Sequence, residues 1–430
     1  MGIDLAPSRS SGAEGTAHPT SGVRRGEGRE SCGPAPLGRG GRPALLMLSH
    51  AVPDPIGNAD RARAWQWVRM AGGSHDIYLL AIADAPVHLR HWRAFAPYTR
   101  NSVITPRRWP HRAGRPITLH ATGRAAVEQW MDHTSFDAVL CTHVAMADAA
   151  SQIPARVHIC DASDPPSVRR HQLARLSTAV GERRHRRMAQ QFIRLEVAAG
   201  AQCDLLTVCD RRDTARSRAG GGRVTAMPRA IDLESLDALP APTGVVGSTR
   251  GSTPGSASGW APGWAPQLVV HVDWRLAAHR RMAQWFSHAI WPHVRQAVPH
   301  AGLALTEADQ ALDPLAAMRG DCVVVAPGAG HVLNHWPVLQ AMALAAGVIT
   351  WDTQVRSMQI GRADGALGVR SDTQWIAACV ETLRNAKLRA ALANAAFDCV
   401  RRRFALHQTA QPLPSRISPL PIPTPLAKAA

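Results

Sequence analysis

The segment CVVVAPGAGHVLNHWPVLQAMALAAGVITWD, residues 322–352, decides the fold class of this 430-residue chain. It opens on an apolar run that ends at Ala326 and continues through a glycine-containing turn. An apolar helix at residues 338–345 and a second apolar run at residues 348–351 follow. A strand, a helix and a strand in immediate succession predict a parallel pairing, and continuous apolar runs are typical of strands covered on both faces.

The same alternation extends over both halves of the chain. In the second half we also predict strands at residues 267–272 and 302–305, and helices at residues 280–298, 373–385 and 387–403. In the first half we predict strands at residues 44–48, 76–83, 138–141, 156–160, 205–209 and 224–227, a helix at 122–132 and an arginine-rich helical region at 168–199. This pattern predicts an α/β protein with two Rossmann-like domains, whose ligands bind beyond the carboxyl ends of the strands.

Three segments lack this alternation. Residues 1–42 are rich in Gly, Ser, Pro and Arg, and residues 407–430 carry frequent prolines, so we expect both to be disordered tails. Residues 240–266 are rich in Gly, Ser and Pro, which is typical of a flexible linker or insertion. The predicted domains are therefore an N-terminal domain at residues 43–239 and a C-terminal domain at residues 267–406.

The composition bears on compartment and partners. The formal net charge is +17, and the only lysines are Lys387 and Lys428, so arginine supplies nearly all the positive charge. This charge favours anionic partners; a codon-biased composition is the alternative explanation. Nucleic acid is not an expected partner, because the basic residues are spread along the chain without Arg-aromatic segments. We expect a cytoplasmic protein, since neither a transmembrane stretch nor the apolar core of a signal peptide is recognised.

The eight cysteines contain no Cys-x-x-Cys pair, and their spacings fit neither a disulfide framework nor a zinc site. We therefore expect no metal. Cys141, Cys160, Cys209 and Cys322 lie in or at the end of apolar runs, where a free thiol behaves as a small buried hydrophobe.

Residues 322–352 resemble the donor-site segment of the retaining GT-B glycosyltransferases grouped as family 4. The positions that match at the family's spacing are Ala326-Pro327, Leu339, Ala341-Met342-Ala343 and Val348-Ile349. The segments SHAVPDPIGNADRARA, IRLEVAAGAQCDLLTVCD, MPRAIDL and TLRNAKLRAALANAAFDCVRRRF are similar to other parts of the family, so the resemblance covers residues 43–404. The chain is most similar to the bacterial sugar transferases associated with exopolysaccharide and exosortase gene clusters.

This resemblance implies a GT-B fold, in which two Rossmann-like domains face each other across a cleft. It implies that a nucleotide-sugar donor binds the C-terminal domain and that a glycan or lipid-linked acceptor binds beside the N-terminal domain. The nucleotide sugar is a co-substrate, and no cofactor is implied. A lipid-linked acceptor would require peripheral contact with the inner face of the membrane, which a basic surface permits.

The catalytic motif of the family is altered in this chain. Family members usually carry two glutamates eight residues apart, and these positions are Val332 and Gln340 here; a family lysine falls on Pro337. Gln340 can hydrogen-bond a ribose hydroxyl but cannot supply charge. We take Gln340 as one of two candidate catalytic residues.

The candidate ligands of the donor phosphates are Arg275, Gly328, Gly330 and His331. The last three lie between a buried strand and a helix, where backbone N–H groups can meet a phosphate. A plain strand-to-helix turn is the alternative interpretation. Arg275 lies near the end of the first strand of the second domain, and a solvated surface arginine is its alternative interpretation.

The candidate residues on the acceptor side of the cleft are His50, Asp60, Arg61 and Arg63, and His143 is the second candidate catalytic residue. His50 and His143 each follow a strand, where the family often places a histidine near the transferred sugar. Because the chain has 20 histidines, an incidental position is the alternative. The other three lie at the start of the first helix, where capping of that helix is the alternative role.

Two function hypotheses follow. The chain is a glycosyltransferase of polysaccharide biosynthesis with an eroded glutamate pair, or it is a catalytically inactive GT-B-fold protein that binds a glycan or a partner. The intact spacing of the donor segment favours the first, and the lost glutamates favour the second. A third hypothesis, nucleic-acid binding, rests on net charge alone and predicts strongly salt-dependent binding.

Overall fold

The computed structural model describes residues 42–83, 89–106, 114–163, 165–175, 177–209, 223–237, 266–272, 277–307, 318, 322–328 and 335–409. The predicted tail at residues 1–42 lies outside these ranges except for Arg42, and the predicted linker at 240–266 lies outside them except for Pro266. The tail predicted from residue 407 lies outside them beyond Thr409. The domain boundaries drawn at these segments remain predictions.

The N-terminal domain is built on a seven-stranded parallel sheet with the strand order β3-β2-β1-β4-β5-β6-β7. The strands are β1 (Ala44–Ser49), β2 (Asp76–Ala83), β3 (Thr99–Pro106), β4 (Phe136–Cys141), β5 (Ala155–Asp161), β6 (Leu205–Val208) and β7 (Arg223–Ala226). Alternate residues of β1 enter two cores, Leu45 and Met47 on one face and Leu46 and Leu48 on the other. The sheet is therefore covered on both faces, as its continuous apolar runs predict.

The helices of this domain are α1 (Ala59–Gly72), α2 (Leu89–Phe95), α3 (Ala121–Met131), α4 (Ala147–Ser151), α5 (Pro166–Arg175), α6 (Ala179–Gln202) and α7 (Leu233–Asp237). The region predicted as helical from 168 to 199 is two helices. The Ser177 hydroxyl donates to the Leu173 carbonyl at 2.7 Å and so satisfies an orphan carbonyl of α5. Thr178 is extended at the N-cap position of α6, where Thr is favoured.

The C-terminal domain is built on a five-stranded parallel sheet with the order β12-β11-β10-β8-β9. Its strands are β8 (Gln267–Val272), β9 (Gly302–Glu307), β10 (Cys322–Ala326), β11 (Gly347–Trp351) and β12 (Ala366–Val369). Its helices are α8 (Ala277–Trp285), α9 (Trp291–Ala297), α10 (Trp336–Ala343), α11 (Asp352–Met358), α12 (Asp372–Arg384) and α13 (Ala386–Arg403), and a short helix, α14 (Leu406–Thr409), follows.

A π-helical turn, Phe286–Ile290, joins α8 to α9. The Trp291 N–H donates to the Phe286 carbonyl, five residues back, and the next residue is Pro292, which has no N–H to donate. The helix predicted at residues 280–298 therefore contains one turn of altered hydrogen bonding immediately before its proline.

The end of the C-terminal domain returns the chain to the N-terminal domain. Ile231 and Ala405 form a parallel bridge, in which the Ile231 N–H donates to the Phe404 carbonyl at 2.8 Å and the Leu406 N–H donates to the Ile231 carbonyl at 2.9 Å. Leu406 then packs into a core of the N-terminal domain. The segment after β7 and the segment after α13 therefore lie side by side.

The prediction of two parallel-sheet α/β domains is confirmed. Two strands were not predicted. β3, with the sequence TRNSVITP, is a half-buried edge strand, and its polar residues leave no continuous apolar run to indicate a strand. β12, with the sequence ALGV, is four residues long and contains a glycine, which weakens a strand signal.

Candidate functional site

The carboxyl ends of β1 and β4 bring His50 and His143 together. These strands are neighbours, and their register pairs Leu48 with Cys141, so the residues that follow them lie side by side. The His50 and His143 ring centroids are 4.9 Å apart. Thr142 fixes the first of these histidines, because its Oγ1 accepts the His50 N–H at 3.1 Å and lies 2.9 Å from His50 Nδ1.

The protonation of the His143 ring is set by a backbone group. The Ala145 N–H donates to His143 Nδ1 at 3.1 Å, so the neutral ring carries its proton on Nε2. The ring of Phe192, on α6, lies 6.4 Å away at a steep angle and backs the histidine. His143 is therefore oriented from both sides at the edge of the sheet.

Asp60 lies at the open side of this histidine pair. Its Oδ2 is 3.9 Å from His50 Nε2, and its side chain is 36% exposed. Asn58 caps α1 by accepting the N–H groups of Asp60 and Arg61 at 3.0 and 3.2 Å. The cap is thus supplied by Asn58, and the Asp60 carboxylate points a negative charge at the N-terminus of α1, where it is favoured. The Arg61 side chain covers Gly57.

Arg63, predicted on the cleft, lies inside the N-terminal domain. Its guanidinium donates to both carboxylate oxygens of Asp161 at 2.8 and 3.0 Å, and its side chain is 2% exposed. Trp67 Nε1 and Thr207 Oγ1 also donate to Asp161, at 2.9 and 2.7 Å. Burial lowers the pKa of Arg63, but attraction to Asp161 and Cys209 and the hydrogen bonds to Asp161 together outweigh burial, so the net pKa is raised. Arg63 therefore positions α1 against β5 and has no exposed surface for an acceptor.

Gln340 lies between the two domains and is buried. Its amide Nε2 donates to the Ile56 carbonyl of the N-terminal domain at 3.2 Å, and its Oε1 lies 3.1 Å from Nε2 of the buried His271, near the end of β8. A glutamate could not donate to Ile56 in this position unless it were protonated. Gln340 therefore joins the two domains through a hydrogen bond that needs an N–H donor.

A second contact between the domains stands one turn earlier on α10. Trp336 Nε1 donates to the Gly57 carbonyl at 2.8 Å, and the Trp336 ring is buried. Pro337 follows in the first turn of this helix, where a missing N–H costs no hydrogen bond. The loop before α1 is thus fixed to the start of α10.

Gly328 follows β10, and its carbonyl and that of Pro327 both accept from Trp351 Nε1, at 3.1 and 3.0 Å. A Cβ at Gly328 would lie too close to Nε2 of the buried Gln354, so any larger residue here would require the Gln354 side chain to shift. The other three predicted phosphate ligands, Arg275, Gly330 and His331, lie outside the described residues, as does Val332.

Sequence reasoning missed four residues that shape this region, namely Thr142, Asp161, His271 and Trp336. The first three stand at or next to a strand end, and that position was the available signal for each of them. Trp336 carried no such signal, because its partner Gly57 is 279 residues away.

The sequence matches no family model and no curated protein. The structure is similar to sucrose-phosphate synthase from Thermosynechococcus elongatus, with a TM-score of 0.56 and 12% identity over 86% of this chain and 96% of that chain. It is similar to Anabaena HepE in complex with UDP-glucose (TM-score 0.55, 12% identity, 88% and 100% covered). It is also similar to WaaG, a glycosyltransferase involved in lipopolysaccharide biosynthesis, with a TM-score of 0.54 and 11% identity over 87% of this chain and 100% of that chain.

The chain has the GT-B fold. Each of these likenesses spans both sheets, so the predicted fold class is confirmed. In the GT-B arrangement, the histidine pair belongs to the N-terminal domain, whereas Gly328 and Gln340 belong to the C-terminal domain. Within the described ranges, no helix combines the length and apolar character needed to cross a bilayer.

Proposed function

We propose that the chain is a glycosyltransferase that transfers a sugar from a nucleotide-sugar donor. The observation that carries this proposal is the pairing of His50 and His143 at the carboxyl ends of β1 and β4, where open α/β sheets bind ligands, in a chain with the GT-B fold. HepE, one of the similar structures, is solved with UDP and glucose and with UDP-glucose. That likeness supports a nucleotide sugar as the donor class.

In the proposed reaction, the histidine pair lies beside the transferred sugar. His143, with its proton on Nε2, donates a hydrogen bond to a sugar hydroxyl or to the departing phosphate oxygen. Asp60 and Arg61, at the start of α1, bind the acceptor. Asp60 is half-exposed and close to His50, so it is the candidate to accept a proton from the acceptor hydroxyl.

The proposed donor site lies at the carboxyl ends of β8 and β10. Arg275 and the turn containing Gly328, Gly330 and His331 hold the diphosphate, whose developing negative charge needs cations or backbone N–H groups. Gln340 contributes by holding the loop at Ile56 over this site, because both ends of its amide are already engaged. Closing the two domains over the donor excludes the water that would otherwise intercept the sugar.

The finer parts of the proposal rest on the sequence resemblance. They are retention of the anomeric configuration, an acceptor that is a glycan or a lipid-linked glycan, and a place in bacterial polysaccharide biosynthesis. Peripheral contact at the inner membrane face is proposed from the net charge of +17, and cytoplasmic residence stays a prediction from the sequence.

The test is thermal denaturation and calorimetry of the full chain with UDP, GDP and their sugars. A ligand present at about 100 times its dissociation constant stabilises the folded state by about 2.7 kcal/mol. We expect one nucleotide and its sugar to raise the melting temperature. If no nucleotide does so, the proposed function is wrong; if one binds but no donor is ever hydrolysed or transferred, the chain is a catalytically inactive GT-B-fold protein.

A further inference from the structure

The α5–α6 hairpin carries the densest positive charge of the described N-terminal domain. Its sequences, PSVRRHQLAR and AVGERRHRRMAQQFIRLEVAAGAQ, contain two acidic residues, Glu182 and Glu196. Glu182 pairs with Arg186 one turn along the same helix, and Glu196 accepts hydrogen bonds from the Ser167 N–H at 2.9 Å and hydroxyl at 2.6 Å. Both carboxylates are thus engaged within the hairpin, and one of them caps α5.

Four residues of the hairpin, Arg169, Arg170, Arg184 and His185, form what we call the basic cluster. Arg170 Nη1 lies 3.4 Å from His185 Nδ1, so α5 and α6 meet here through two basic groups. In the part of the chain that the structure describes, no carboxylate forms an ion pair with any of the three arginines. Within the described ranges, the half-buried Arg170 and His185 therefore face each other without a countercharge.

Burial and like charges lower the pKa values of two members of the cluster. Burial, and then the charges of Arg169 and Arg184, lower the pKa of Arg170. Burial, and then Arg170 and Arg184, lower the pKa of His185. A bound anion would raise both pKa values, because it favours the protonated forms of Arg170 and His185 that the present surroundings disfavour.

The basic cluster stands at the border of the two domains and near the histidine pair. Leu173 of α5 packs against Ala278 of α8, in the C-terminal domain. On α6, Phe192 contacts His143, and His185 lies seven residues before Phe192, about 10 Å along a helix that rises about 1.5 Å per residue. Residues seven apart lie on one face of a helix, so the cluster is about two turns along α6 from the residue that contacts His143.

We propose that the basic cluster binds the phosphate or diphosphate group of the acceptor, which makes the acceptor a phosphate-linked sugar or glycan carrier. The identification of this ligand as the acceptor rests on the proposed function, but the phosphate site itself does not depend on that function. Guanidinium groups match phosphate oxygens in geometry and charge, and half-buried arginines hold them with little loss of freedom. The hairpin's only aromatic residue, Phe192, is buried, so it offers no platform for stacking nucleic-acid bases.

The test is calorimetric titration of the full chain with inorganic pyrophosphate in the presence of saturating UDP, which keeps the donor site occupied. The double variant Arg170→Gln with Arg184→Gln removes two charges from the cluster. Its matched control, Arg194→Gln with Arg401→Gln, removes two exposed charges from elsewhere in α6 and from α13. We expect the cluster variant to bind pyrophosphate at least about tenfold more weakly, and the control to stay within about twofold of the parent.

Equal affinities in the parent and the cluster variant, or equal losses in both double variants, would overturn the proposal. Vesicles of phosphatidylcholine with and without phosphatidylglycerol then identify the source of the phosphate. Anionic vesicles that recruit the parent but not the cluster variant indicate a lipid phosphate; pyrophosphate binding without recruitment indicates a soluble one. A chain that binds pyrophosphate at the cluster but is stabilised by no nucleotide would refute the proposed function and leave the phosphate site standing.

Discussion

The carboxyl edges of the two sheets use their polar side chains differently. At the N-terminal edge, His50, Thr142 and His143 contact one another within their own domain, and Asp60 stands half-exposed beside them. At the C-terminal edge, Gln340 and Trp336 reach across to the Ile56 and Gly57 carbonyls of the other domain. Among the described residues, the N-terminal edge thus presents partly exposed titratable groups, whereas Gln340 and Trp336 at the C-terminal edge hold the two domains together.

The largest expected effect concerns the buried Arg63–Asp161 ion pair, which holds α1 against β5 in the N-terminal domain. Arg63→Ala leaves the buried Asp161 carboxylate without its ion-pair partner, and breaking a buried pair in this way costs about 3–5 kcal/mol. The measurement is the free energy of unfolding by chemical denaturation. Arg61→Ala, two positions earlier on α1, is the matched control and should cost much less. If the two variants are equally stable, the buried pair does not support the edge.

The next effect is on activity. His143→Ala removes the side chain that we place beside the transferred sugar, and a positioned general acid or hydrogen-bond donor of this kind contributes about 100-fold or more to the rate. The measurement is kcat for donor hydrolysis or transfer with the best nucleotide sugar. His133→Ala, an exposed histidine after α3, is the control and should leave kcat unchanged. Equal kcat values for the two variants would remove His143 from the site.

A smaller effect is expected at the C-terminal edge. Gln340→Glu places a buried carboxylate against the Ile56 carbonyl oxygen and should reduce the free energy of unfolding by about 1–3 kcal/mol, because a buried hydrogen bond is lost. It should not raise activity, although it introduces the glutamate that the sequence resemblance predicts at this position. Gln374→Glu, the same change at an exposed position of α12, is the control.

The destabilisation by Gln340→Glu should depend on pH. Burial raises the pKa of an introduced carboxyl group above its unfolded value, so the folded state binds more protons than the unfolded state. Destabilisation by Gln340→Glu should therefore grow as pH rises above the unfolded pKa and shrink in acid. A stability that is unaffected at any pH would mean that the Gln340 contact does not hold the domains together.

The smallest effect concerns His185. Arg184→Gln removes one of the two cationic neighbours that lower the His185 pKa, so this pKa should rise, as measured by histidine NMR titration. Because the parent's folded pKa lies below the unfolded value, stability falls as pH falls from the unfolded pKa towards the folded pKa, and the variant should lose less stability over this range. Arg194→Gln is the control. An unchanged His185 pKa in Arg184→Gln would show that the two side chains do not interact.

Local patterns predicted ten of the twelve strands and placed His50 and His143 each directly after a strand. The sheet order makes β1 and β4 neighbours and so brings the two rings together. The burial of Arg63 was not predictable, since its partner Asp161 is 98 residues away and an arginine in a first helix turn is usually solvated. The contact of Gln340 with the N-terminal domain was not predictable either, because the Ile56 carbonyl is 284 residues away. Contacts between distant segments therefore decided which candidates face the cleft.

The most direct test of the central claim is histidine-selective NMR of the full chain during titration with UDP-glucose and with GDP-sugars. The account predicts that the His143 and His50 resonances shift together, with a midpoint equal to that of the thermal stabilisation by the same ligand. His143→Ala and His50→Ala assign the two signals. The account would be contradicted if a nucleotide sugar bound the chain and left both resonances where they were.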